Sequence, residues 1–79
     1  MRFQEPTLRA LVAAGAMPEL VALQVNPGGW LLLVRIAESE VTLEKQRGGA
    51  REFRSLDAVA SLVASLGCSG FSVRLLHTP

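Results

Sequence analysis

The stretch Gln46–Gly67, QRGGAREFRSLDAVASLVASLG, decides how this chain folds. It reads as a turn, a short strand and a complete amphipathic helix placed end to end. Gly48-Gly49 marks a hairpin, because glycine accepts the positive φ of tight turns. Ala50 to Arg54 reads as a strand with Phe53 pointing in. Its charged residues, Arg51, Glu52 and Arg54, suit a sheet edge, where charge discourages unwanted pairing. Ser55 is a good N-cap, and Asp57 sits in the first turn, where the helix dipole favours negative charge. Leu56, Val59, Leu62, Val63 and Leu66 form one apolar stripe, and Gly67 ends the helix.

Upstream of this stretch the period changes to two. Val21, Leu23 and Val25 point one way, and Leu20, Ala22 and Gln24 the other, which predicts a strand over Glu19–Asn26. Asn26-Pro27-Gly28-Gly29 is a turn signal. Trp30–Ile36 is the next strand, with Trp30, Leu32, Val34 and Ile36 on one face and Leu31, Leu33 and Arg35 on the other. Both faces are largely apolar, so the strand is central. Ala37-Glu38-Ser39 turns into a strand over Glu40–Gln46, where Val41 and Leu43 face in and Glu40, Thr42, Glu44 and Gln46 form a wet side. At the N-terminus, Pro6 suits the start of a helix, Leu8, Leu11 and Val12 share a face, and Gly15 stops it. Downstream of the stretch, Phe71–Leu76 predicts a last strand with Phe71, Val73 and Leu75 inward, followed by the tail His77-Thr78-Pro79. The expectation is one compact α+β domain over residues 1–79, in the order α-β-β-β-β-α-β. Its sheet is antiparallel, of four to five strands, with two helices.

A chain of 79 residues buries only about 60% of its unfolded surface and is marginal alone. One Cys and one His remove disulfides and metals as remedies, since a zinc site needs three or four ligands. No metal and no cofactor are expected, and a lone thiol fits a reducing, cytoplasmic setting. The remaining remedy is association. Hydrophobic residues make up 49% of the chain, more than one small core needs, which predicts a homodimer. Leu20, Ala22, Leu31 and Leu33 are read as facing away from the helices. Of these, Leu20, Leu31 and Leu33 are the candidate interface residues. The competing arrangement puts one helix on each face and exposes nothing.

The net charge of +1 gives the molecule no overall field toward nucleic acid or membrane. No apolar run is long enough to span a bilayer, and the first residues lack the apolar segment of a secretory signal. Half of the eight Lys and Arg residues nevertheless gather at Lys45, Arg47, Arg51 and Arg54. These are the candidate contacts to an acidic partner or to nucleic acid. Nucleic-acid modules usually add exposed aromatics, whereas Phe53 and Trp30 read as buried.

Catalysis finds little support. Cys68 follows a helix C-terminus, while a reactive thiolate prefers an N-terminus or a cationic neighbour. His77, its only possible base, sits on a tail. Glu38, Glu40 and Glu44 lie on an exposed hairpin, which does not raise a carboxyl pKa as a general acid requires. Gly28-Gly29 and Gly48-Gly49 join strands instead of opening into a helix, so they read as turns and not phosphate cradles. The chain is expected not to be an enzyme.

Three segments carry a resemblance. Glu5-Pro6-Thr7-Leu8-Arg9-Ala10-Leu11-Val12-Ala13-Ala14-Gly15-Ala16, Gly29-Trp30-Leu31-Leu32-Leu33-Val34-Arg35 and Gln46 to Ala58 together resemble the small ParC-type partition-associated proteins of bacterial plasmids and integrative elements. The likeness covers most of the chain and its motifs are structural. It implies a non-enzymatic accessory role beside partition genes, and it brings no catalytic residues. The run Phe53 to Ala58 is similar also to small α+β proteins that include phage inhibitors of CRISPR effectors. The function expected is therefore an accessory protein of mobile-element maintenance acting through protein–protein contact. The alternatives are a DNA-binding regulator using the basic hairpin and a small inhibitor of a host defence complex.

Overall fold

The computed structural model describes residues 3–26 and 28–76. Pro27 of the first turn and His77 of the tail lie outside the described residues. The elements run α1 (Glu5–Ala13), β1 (Glu19–Asn26), β2 (Gly29–Ile36), β3 (Ser39–Thr42), β4 (Glu52–Phe53), α2 (Leu56–Ser65) and β5 (Ser72–Arg74). This is the α+β order that the periodicity predicts.

Both helices end the same way. In α1 the Gly15 N–H donates to the Val12 carbonyl and the Ala16 N–H to the Leu11 carbonyl, each at 3.0 Å. In α2 the Gly67 N–H donates to the Ala64 carbonyl at 3.0 Å and the Cys68 N–H to the Val63 carbonyl at 3.2 Å. Each is a Schellman motif, and its left-handed residue is glycine, at φ 95° and 84°. The start of α2 is capped as Ser55 predicts: its hydroxyl oxygen accepts the Ala58 N–H at 3.2 Å.

β2 is the central strand. β1 pairs along one of its edges, and β3 and β4 share the other, all antiparallel. β5 joins the outer side of β1 in parallel, so the sheet is mixed where an antiparallel one was expected. The reason lies in α2. It links β4 to β5 as a crossover over the sheet, and a crossover returns the chain in the direction it left.

Register decides the faces. Leu20 lies opposite Val34 and Ala22 opposite Leu32, so these residues share the face of Trp30. One cluster joins them to Phe3, Leu8, Leu43, Phe53, Val59, Leu62, Val63 and Leu66. Both helices therefore cover this one face. Leu20, expected on the interface face, is instead a core residue, 2% exposed. The alternation within each strand was legible, but which face of β1 continues which face of β2 depends on the turn between them. Leu31 and Leu33 do lie on the opposite, helix-free face. Val73 and Leu75 depart from expectation too: they are exposed, while Phe71 packs partly against the core.

Candidate functional site

The basic hairpin forms where its glycines place it. The Lys45 N–H donates to the Gly49 carbonyl at 2.9 Å and the Gly48 N–H to the Lys45 carbonyl at 3.0 Å, with Gly48 and Gly49 at φ 91° and 81°. The Arg51 N–H closes the hairpin on the Leu43 carbonyl at 2.9 Å. The N-terminal segment lies alongside: the Glu44 N–H donates to the Phe3 carbonyl at 2.8 Å. Gln4 does not cap α1 with its side chain. Its Nε2 donates instead to the carbonyls of Lys45 and Gln46, at 3.0 and 3.1 Å.

The four basic residues do not act as one patch. Arg51 is turned inward, its guanidinium 2.6 Å from Glu5 Oε1 and 5.0 Å from the Phe53 ring centre. Glu5 accepts also from Arg9 Nε at 2.9 Å. Arg9 in turn donates to the Ser65 carbonyl at 3.2 Å and to Ser65 Oγ at 2.9 Å. Glu5 thus ties α1, the end of α2 and the strand leading to β4. Hydrogen bonds from Arg51 and then Arg9 hold its carboxyl below the ordinary value of 4.5. Lys45, Arg47 and Arg54 remain exposed. Gln4, Glu5, Pro6, Glu44, Lys45, Gln46 and Arg51 line a groove of about 490 Å³ beside the hairpin.

The helix-free face has two zones. At one end, Glu19, Arg35 and Glu40 alternate in charge across three strands, and Arg74, opposite Leu23 on β5, reaches toward them. Glu19 lies 3.9 Å from Arg35, and Arg74 holds Glu40 with two hydrogen bonds. Arg74 lowers the Glu40 pKa, and the pairing raises that of Arg74. At the other end, Leu23 and Leu31 form a half-buried cross-strand pair, with Glu52 opposite Leu31 on β4. Of the expected interface residues, Leu31 is half-buried here and Leu33 is buried. The Glu5–Arg51 pair went unseen, because its partners are 46 residues apart.

Cys68 stands at the second position past the helix end, where the Schellman motif favours an apolar contact back onto the helix. It is half-buried and packs against the core, in keeping with a structural role. Among the described residues, no three His, Cys, Asp or Glu come together as a metal cluster, and no helix is long and apolar enough to cross a membrane.

No curated protein and no solved structure matches this chain. The family comparison is different: the ParC-like family model matches residues 4–78, a span that takes in every element from α1 to β5. The chain belongs to the ParC-like family.

Proposed function

We propose that this chain is a non-enzymatic accessory protein of plasmid partition and maintenance, acting by contact with a protein partner. The observation that carries the reading is family membership over residues 4–78. Leu31, half-buried on the helix-free face, is the apolar anchor. The exposed Lys45, Arg47 and Arg54 supply cationic contacts to an acidic partition protein. Arg51 drops out of the contact set, because Glu5 already holds it.

The test mixes the purified, nuclease-treated chain with the partition proteins encoded on the same replicon, and follows binding by calorimetry. A second arm deletes the gene and counts plasmid loss per generation. A stoichiometric complex weakened by Leu31→Asp, together with faster plasmid loss, is the expected result. No complex and unchanged inheritance would overturn the reading. Binding that needs nucleic acid and falls steeply with salt would replace it with the DNA-binding regulator, since each neutralised phosphate releases counterions.

A further inference from the structure

β5 is the outer strand beside β1, and two hydrogen bonds fix where its free backbone groups point. The Leu43 N–H donates to the Leu32 carbonyl at 2.9 Å, so the Leu32 main chain faces the β3 side. Opposed residues of an antiparallel pair face each other together or turn away together. Ala22, opposite Leu32, therefore turns its amide and carbonyl toward β5. Val73 lies opposite Ala22 in the parallel ladder. In such a ladder only one of two opposed residues bonds across it. The Val73 N–H and C=O thus point outward. The Leu76 N–H, donating to Gln24 Oε1 on β1 at 3.1 Å, keeps the same alternation.

This edge is apolar and unguarded. Among the described residues, Val73, Leu75 and Leu76 are 46%, 66% and 46% exposed, three of the five large hydrophobic side chains left in solvent. Edge strands usually carry charge that deters pairing. The one charge here, Arg74, is drawn onto the helix-free face by Glu40.

We propose that β5 pairs antiparallel with β5 of a second copy, about a twofold through Val73, joining two sheets into one. The strand is self-complementary in that register. Val73 meets Val73 of the second copy, Phe71 meets Leu75, and Ser72 meets Arg74. Apolar opposes apolar on the helix side, and no arginine opposes another. A twofold through Arg74 would set two like charges against each other, which destabilises a cross-strand pair. The outward N–H and C=O of Val73 exchange two hydrogen bonds with those of its mate. The dimer leaves the helix-free face open, so it stands or falls apart from the proposed function.

The experiment is light scattering of the full chain over a concentration series, with amide exchange followed by NMR. The expected mass is twice 8.5 kDa. Val73→Lys puts two cations on the axis. Val73→Pro removes the outward N–H and leaves the ladder to β1 in place. Each raises the dimer Kd by about tenfold or more. In the unsubstituted chain the Val73 amide is protected at dimer concentrations and loses protection on dilution. A chain that stays monomeric up to about 1 mM, or a dimer whose Val73 amide exchanges freely, overturns the proposal. If circular dichroism shows either variant unfolded, the exchange of the unsubstituted Val73 amide decides alone.

Discussion

Arg74 on β5 reaches Glu40 on β3 across both intervening strands, with Nη2 3.0 Å from Oε2 and Nη1 3.4 Å from Oε1. Between them, on the same helix-free face, lies the opposed pair Val21 and Leu33. These two are only 4% and 7% exposed, yet they stand outside the helix-side core cluster. An arginine stem on such a path can cover apolar surface while its head stays in water. The ion pair is thus a strap over a sheet face that no helix covers.

Arg74→Ala is expected to lower the denaturation midpoint, and Arg74→Met to lower it less, because Met keeps the covering stem. Equal losses in the two variants would place the effect in the ion pair and not in the cover. Chemical denaturation followed by Trp30 fluorescence reads this directly.

Glu5 makes the fold acid-sensitive in a defined window. Arg51, then Arg9, depresses its pKa below 4.5. A carboxyl with a lowered folded pKa contributes stability that is present above the unfolded value and lost as pH falls through the folded one. Glu40 is lowered in the same direction by Arg74. Stability is therefore expected to fall between about pH 5 and pH 3. Glu5→Gln should flatten that fall in part, and Glu5→Gln with Glu40→Gln further. A parent chain with constant stability across the window would refute the linkage.

Ala37 turns β2 into β3 at φ 56°, and among the described residues it is the one non-glycine residue with positive φ. A Cβ in the left-handed region costs roughly 1–2 kcal/mol, partly offset by the greater chain entropy that glycine loses on folding. Ala37→Gly is expected to stabilise the fold by about 0.5–1 kcal/mol, read as a higher midpoint in denaturant.

Leu8 is the one buried residue of α1, with no exposed surface. Truncating such a side chain costs about 2–5 kcal/mol, a large part of what a small domain has. Leu8→Ala is expected to release α1 or unfold the chain. Ser55→Ala, which removes the cap on α2, should cost about 1 kcal/mol. Thermal melts of both variants check the order of the two losses.

Local chemistry made most elements legible without coordinates. Glu19–Asn26 coincides with β1, and Ser55 and Gly67 bracket α2 where a cap and a glycine stop predict. The alternation of Trp30, Leu32 and Val34 against Leu31 and Leu33 matches their two faces. These features depend on residues within a few positions of one another, so propensity, capping and period carry them. Three further features depend on where distant segments meet. The register of β1 on β2 moved Leu20 from the expected interface to the core. The crossover through α2 set β5 parallel to β1 and left Val73 on an open edge. Glu5 captured Arg51 and divided the basic cluster. The sequence by itself determined the order of the elements and the alternation within each strand, because those follow from local backbone sterics and side-chain period. Only the tertiary structure decided which faces and charges meet, because that rests on turn geometry and on packing between segments far apart in the chain.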